Sequence, residues 1–280
     1  MLRGLTLLLV ALAGLCGQAT ANVEMPEYAD GTDSQARYEL GIGAAYSRLT
    51  DYPGSNENQH YLLPFPYITY QSDKLKLNRS EALGQLFAQG NWALNISLAA
   101  ALPVNSDDNR RRQGMDDLMW ITEIGPTLDY QAYQSTESAV TIRFPLRKAI
   151  ATDLQHWQST GWRFEPQIRW RQQLSNTIQL TTQLAALWST AQYHQYLYGV
   201  TAEQAMQQRP QYSADSGFSG WRLSGGLSWR CKNWWFGSFV RYDNLQQAKF
   251  NASPLAERQH NISYGLAFAW IFKQGVIYED

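Results

Sequence analysis

Four histidines, His60, His156, His194 and His260, are the first candidates for chemistry, because imidazole titrates near neutrality and ligates metals. No two stand at the H-x-x-x-H spacing that puts a pair of ligands on one helix face. Neither a G-x-S-x-G nucleophile elbow nor a phosphate-binding glycine loop occurs. The histidines therefore assign no catalytic residue, no metal site and no cofactor. The charged residues carry more information. Arg143, Arg147, Arg163, Glu165, Arg169 and Arg171 all have odd numbers, as do Glu123 and Asp129. In strands, side chains alternate sides, so residues spaced by two or four share a face. Such a face can attract anions, or its charges can satisfy one another.

The elements that position these charges read as strands. The clearest is 261–272, where Ile262, Tyr264, Leu266, Phe268, Trp270 and Phe272 share one face and Ser263, Gly265, Ala267 and Ala269 the other. The same alternation runs through 38–48, about 60–71, Leu75–Leu77, 82–88, Trp92–Ala100, 118–130, 140–146, 162–170, 178–188 continuing towards Tyr198, 221–229 and 233–244. That makes twelve strands, with ten as the fallback if the two weak ones near 75–88 merge. Connections near 72–73, 90, 135, 175 and 232 are short; those at 49–59, 104–116, 150–159, 201–217 and 245–259 are long. Even strand number with short turns at one end and long loops at the other is the habit of bacterial outer-membrane barrels. No helix-period segment of useful length appears.

Alternation alone does not say which face is inside. Trp162 and Trp170, Trp221 and Trp229, and Tyr264 and Phe272 each lie eight residues apart. Eight residues rise roughly 27 Å, or about 21 Å along the normal at a 40° tilt, close to the roughly 25 Å apolar band between two aromatic girdles. Eleven Trp and sixteen Tyr accompany a negative mean hydropathy, as expected when only every second residue meets lipid. The fold class is thus an all-β, transmembrane antiparallel barrel, apolar side outward. Unpaired charges in a narrow interior are costly. Glu123 and Asp129 face Arg143 and Arg147 on the next strand, and Glu165 lies among the arginines. The balance favours a salt-bridged, mostly plugged lumen over an anion pathway.

The chain opens like an exported protein: Met1-Leu2-Arg3, an apolar run over 5–15, and Ala19-Thr20-Ala21 before Asn22. The expected organisation is a signal peptide at 1–21, a flexible leader at 22–36, a barrel at 37–272 and a tail at 273–280. Leu15 stands where a lipoprotein signal would have a small residue before Cys16. Cleavage leaves Cys231 as the remaining cysteine, so no zinc-type cysteine cluster exists. A net charge of −1 gives no reason to expect nucleic acid.

Asp51-Tyr52-Pro53-Gly54-Ser55 followed by Leu63-Pro64-Phe65-Pro66, then Tyr196-Leu197-Tyr198-Gly199-Val200-Thr201 and Ala252-Ser253-Pro254-Leu255, resemble in order and spacing the motifs of the MltA-interacting protein (MipA/OmpV) family. The resemblance implies an outer-membrane barrel of a Gram-negative bacterium, in contact with the bilayer and lipopolysaccharide. It also implies a scaffold that links a lytic murein transglycosylase to a murein synthase. The alternative is a surface adhesin or narrow solute channel. The family supplies no catalytic residues to carry over. A third class, the twelve-stranded outer-membrane phospholipases, places a Ser and a His near one rim; His260-Asn261-Ile262-Ser263 is the nearest approach, and Ser263 lies on the small-residue face.

Overall fold

The computed structural model describes residues 35–71, 75–77 and 82–278. Its strands are β1 (Gln35–Thr50), β2 (Asn58–Gln71), β3 (Leu75–Leu77), β4 (Ala82–Gln89), β5 (Trp92–Ala101), β6 (Trp120–Gln134), β7 (Ser138–Thr152), β8 (Trp157–Phe164), β9 (Gln167–Ser175), β10 (Ile178–Ser189), β11 (Gly217–Cys231), β12 (Trp234–Asn244) and β13 (His260–Tyr278). All pairings are antiparallel, and β1 pairs with both β2 and β13, so the sheet closes into a barrel. Closure gives the backbone donors and acceptors of the first and last strands partners, the condition for crossing a bilayer with strands.

β8 and β9 are one crossing. Residues 146–152 of β7 pair with β8 and residues 138–143 with β9, and β10 likewise pairs with both. The interruption is Glu165-Pro166, where proline has no N–H for the ladder. The Glu165 amide still donates to the Pro145 carbonyl (3.1 Å) and the Ala186 amide to the Pro166 carbonyl (3.0 Å), so the wall is continuous. The count is therefore twelve strands, as the alternation predicts.

Three expectations need correction. First, the helix α1 (Ala191–Tyr198) replaces the strand continuation expected towards Tyr198. Its aromatic residues sit at helical as well as alternating positions: Tyr193 with Leu197, and His194 with Tyr198, are four apart and buried. Gly199 ends the helix, its N–H donating to the Gln195 carbonyl at 2.9 Å. Second, the long connection expected at 150–159 is a four-residue turn, 153–156, because the Asp153 carboxylate takes the Gln155 and His156 amides at 2.9 and 2.6 Å and closes it tightly. Third, residues 273–278 are barrel wall, not tail. β1 begins at Gln35, two residues before the expected barrel boundary, and its backbone groups need partners. β13 supplies them from Lys273 opposite Leu40 to Tyr278 opposite Gln35, after a bulge at Phe272. The expected signal peptide, most of the leader and the turns near 72–73 and 80 lie outside the described residues, as do Glu279 and Asp280.

The outer surface is apolar: Ile42, Leu62, Ile168, Leu223, Leu266 and Phe268 are all exposed, Leu62 at 75%. Aromatic contacts on this face gather in two zones. Trp188 lies against Phe164 and Phe218 towards the loop end; Trp92 lies against Tyr130, and Trp229 against Phe236, towards the turn end. Among the described residues the larger apolar core lies mostly outside the barrel, reaching it at Ile121 and Ala149. It joins the loop segments 51–57, 102–119, 190–216 and 245–259 over the mouth, around Tyr52, Val104, Leu118, Leu197, Tyr198, Phe250 and Leu255.

Candidate functional site

The lumen has three levels. The uppermost is the cap. The turn Tyr52-Pro53-Gly54-Ser55 closes with the Ser55 amide donating to the Tyr52 carbonyl at 3.0 Å. Proline and then a positive-φ residue (Gly54, +96°) are what a type II turn demands. The Tyr52 hydroxyl donates to the Leu255 carbonyl (3.1 Å) and the Tyr198 hydroxyl to the Pro53 carbonyl (2.8 Å). The Ser253 hydroxyl in turn donates to the Tyr198 carbonyl at 2.7 Å. Asn261 reaches up from β13, accepting from the Gly54 amide at 2.6 Å and donating to the Ser55 carbonyl at 2.9 Å. Asn109 donates to Asp51 Oδ2 (2.7 Å) and Ser55 Oγ (3.0 Å). Asp51, Tyr52, Pro53, Gly54 and Ser55 thus meet the segments 196–201 and 252–255 in one knot. Burial raises the Asp51 carboxyl and pushes the Tyr52 and Tyr198 phenols well above their usual range. These phenols are hydrogen-bond donors only. Arg112 and Arg209, both buried, clamp the loops by donating to carbonyls of Leu197 and Asp116, and of Arg111, Gln113 and Gln204.

Beneath the cap runs a belt of ion pairs. Asp129 and Arg143 are register partners on β6 and β7 and pair at 3.0 Å, with Asn95 donating to the other carboxylate oxygen at 2.9 Å. Glu123 departs from expectation: it pairs with Arg163 at 2.5 Å, not with β7. Its register partner is Ala149, whose small side chain lets the carboxylate pass over β7 to β8. Arg147 and Arg163 face each other in register, and the like charges are separated by Glu165, 3.7 Å from one and 3.5 Å from the other. A second cluster escaped sequence reasoning. Asp243 of β12 receives Arg222 of β11 at 2.7 Å and Arg241 at 3.3 Å, and Glu39 of β1 receives Arg230 at 3.2 Å. The odd and even positions of β11 and β12 carry the signal, but only register joins them. Tyr193 of α1 plants its hydroxyl 3.4 Å from Glu123, tying cap to belt; burial raises that phenol to about 12.

The lowest level is a chamber of about 870 Å³ towards the turn end, with a smaller space of about 350 Å³ between belt and cap. Arg169 and Arg171 line this chamber, and Arg169 also lines the smaller space above it. On the opposite wall the rings of Phe65, Trp235 and Phe239 lie over glycines. A Cβ on Gly43 would come 2.7 Å from Phe65, one on Gly265 2.6 Å from Phe239, and one on Gly237 would collide with Trp235. Of the histidines, His194 is fully buried in the cap, whereas His60 and His260 bind Tyr46 and Tyr242 near the loop end. His156 sits in the 153–156 turn.

A closed antiparallel barrel with an apolar band outside and paired charges inside is the architecture of a transmembrane β-barrel of the outer-membrane class. The cap that seals it brings together three of the four segments that carry the family motifs, the fourth, Leu63–Pro66, lying in β2. The chain belongs to the family described as MltA-interacting protein MipA, whose model matches residues 40–272. No curated protein matches it. Among solved structures, it is similar to the NanC porin (9% identity, covering 82% of this chain and 98% of that one, TM-score 0.40). It is also similar to the COG4313 outer membrane channel from Pseudomonas putida F1 (10% identity, 91% and 100%, TM-score 0.41). A third is OmpT of Vibrio cholerae (7% identity, 86% and 99%, TM-score 0.39).

Proposed function

We propose that this protein is an outer-membrane scaffold that holds a lytic murein transglycosylase, and through it a murein synthase, at the inner surface of the membrane. The observation that carries the reading is the sealed mouth. A loop end filled by an apolar core and underlain by ion pairs favours an anchored body over an open pore. Murein enzymes act on the periplasmic side, where the described turns are 90–91, 135–137, 176–177 and 232–233, on the same side as the start of β1. The segment preceding β1 carries Glu24, Glu27 and Asp30, an acidic run suited to steering a basic partner in a salt-sensitive way. A narrow anion channel is the second reading, favoured by the arginines that face the lower chamber.

The test is capture of a purified murein transglycosylase by the full chain in detergent. Deleting residues 23–34 and replacing the turns 135–137 and 176–177 should weaken capture while the barrel stays folded. Truncation within 273–278 is no substitute, since it would unpair β1. Replacing 201–216 with a short linker should leave capture unchanged; the reverse pattern would defeat the scaffold reading and favour surface adhesion.

A further inference from the structure

We propose that the barrel wall has a lateral opening between β2 and β5 where an ethanolamine phospholipid of the surrounding bilayer inserts. Its acyl chain lies between the two rims and its head against the ion-pair belt. This stands apart from the scaffold reading.

The opening follows from register. β1 pairs with β2 from Arg37 opposite Gln71 to Thr50 opposite Asn58. On its other side β2 pairs with β3 at Tyr70 and Gln71, and among the described residues Asn58–Thr69 have no ladder partner there. β5 pairs with β4 as far as Ser97 opposite Leu83, and above that, among the described residues, Leu98–Ala101 have β6 alone. Leu77 pairs with Ala82 across the β3–β4 hairpin, and the four residues joining them can rise by about two residues, roughly 7 Å, above that pair. The hairpin is too short to fill the wall. Leu63, on the inner face of β2, is accordingly 50% exposed.

A free strand edge usually recruits another strand. Pro64 and Pro66 act against that. Both stay in register with β1, so their missing N–H groups are on the opening side, where a sheet tolerates proline. A strand laid along 62–66 would find the Leu62 amide as its one donor. The same feature spares the bilayer the unpaired N–H groups of both residues, each costly in lipid. The rims suit an apolar chain instead. Leu62-Leu63-Pro64-Phe65-Pro66 and Leu98-Ala99-Ala100-Ala101-Leu102 are apolar on both faces, whereas β6 to β9 carry charge on the inner one.

Behind the opening lies the space of about 350 Å³, lined by Tyr61 on one rim and by Leu98–Leu102 on the other. Its floor is the belt, where acids and arginines answer one another, so a head of both signs suits it better than a bare anion. Glu123 Oε2 and Gln167 Oε1 belong to lining residues only 3% and 5% exposed, and neither has a hydrogen-bond partner among the described residues. Both are acceptors, and an ammonium group supplies the N–H donors they lack. Arg241 lines the same space with its side chain partly exposed and can take the phosphate.

The test is native mass spectrometry of the full chain in dodecyl maltoside, with lipids offered at equal mole fraction. Lysophosphatidylethanolamine should bind one-to-one and ten or more times tighter than palmitate. It should exceed lysophosphatidylcholine by the same factor, since that lipid shares chain, phosphate and charge but has no N–H. Glycerophosphoethanolamine, the head alone, should bind at least tenfold more weakly. Ala99→Phe fills the slot between the rims and Gln167→Leu removes an acceptor; each should weaken binding at least fivefold. Heat-modifiable gel migration identifies any variant that has not folded, and Leu63→Phe or Gln167→Met then takes its place. No bound lysophosphatidylethanolamine, equal binding of the two lysolipids, palmitate or the head alone binding as tightly, or affinity untouched in the folded variants would each overturn the proposal. So would a lipid-free mass of two chains, which would show that a second β2 edge fills the opening.

Discussion

Tyr198 and Phe250 stack face to face, with ring centroids 3.7 Å apart and planes 7° from parallel, although they come from two different loop-end segments. Tyr52 meets Tyr198 edge-on at 6.0 Å and His194 meets Phe250 at 5.1 Å, so one ring stack joins three segments of the cap. The cap is thus a small folded unit with its own core, standing on a barrel whose stability comes from strand pairing. The two should fail separately.

Tyr198→Ala should remove roughly 3–5 kcal/mol of packing, the usual scale for deleting a buried aromatic ring, and the loss should fall on the cap. Limited proteolysis should then cut within 201–216 and 245–259 while the barrel keeps its heat-modifiable migration. Loss of the folded band at the same denaturant concentration as the cleavage would show that cap and barrel are one unit.

His194 makes the cap pH-sensitive. Its Nδ1 lies 2.6 Å from the Asp215 carbonyl, so Nδ1 carries the proton, and Nε2, 2.8 Å from the Ser219 hydroxyl, accepts. The rings of Tyr198 and Phe250 pack against it, and Arg163 is the charged group facing it. Burial, the main cause, holds its pKa below the ordinary 6.5, and Arg163 adds to the shift while the Asp215 carbonyl opposes it. The unfolded cap therefore binds more protons in that range, and stability rises with pH. The stabilisation is complete above about 6.5 and fades as the pH falls through the depressed folded value. Protease sensitivity of the cap should increase on acidification below pH 6.5, and His194→Gln should flatten the profile.

Inside and outside the wall, charge should have opposite effects. Ile168→Arg places a cation on the lipid face and should cost roughly 2–4 kcal/mol near the midplane. Thr181→Glu, opposite Arg171 in register on the inner face, should be neutral or stabilising by up to about 1 kcal/mol. Gln167, whose register partner is Arg143, is a poor site for an added arginine. Urea unfolding in lipid vesicles measures both, and equal losses would mean the faces are exchanged.

Strand number, faces and the inward charges were legible because period-two alternation is a local property, readable without knowing which strands touch. Asp129 and Arg143 were legible as a pair because they are cross-strand neighbours. The Glu123–Arg163 pair was not, since it depends on Ala149 being small on the strand between them. Nor was Asp243, a lone acid in its strand whose two arginines are gathered by register. The helix 191–198 was hidden because Tyr196 and Tyr198 satisfy a strand pattern while Tyr193 and Leu197 satisfy a helical one, and burial in the cap decided between them. The convergence of three of the four motif segments is a tertiary fact that order along the chain does not contain.

The sealed mouth makes a last prediction. In planar bilayers the unmodified protein should give small or no unit currents, because an ion must pass both the cap core and the belt. Asp243→Asn strips the carboxylate from Arg222 and Arg241; breaking a buried pair in this way costs roughly 3–5 kcal/mol, whereas Arg110→Ala, at the exposed Glu257 pair, should cost about 1 kcal/mol or less. Replacing 201–216 with a short linker removes part of the cap and leaves the belt, so currents should rise only modestly. Combined with Asp243→Asn, it should yield larger steps that favour anions, since Arg222 and Arg241, stripped of their carboxylate, then line an open path. Large stable steps from the unmodified protein would show that the cap opens in the membrane and would bring the channel reading forward. Silence in the combined variant, with the barrel still folded, would mean that the chamber itself is closed at the turn end.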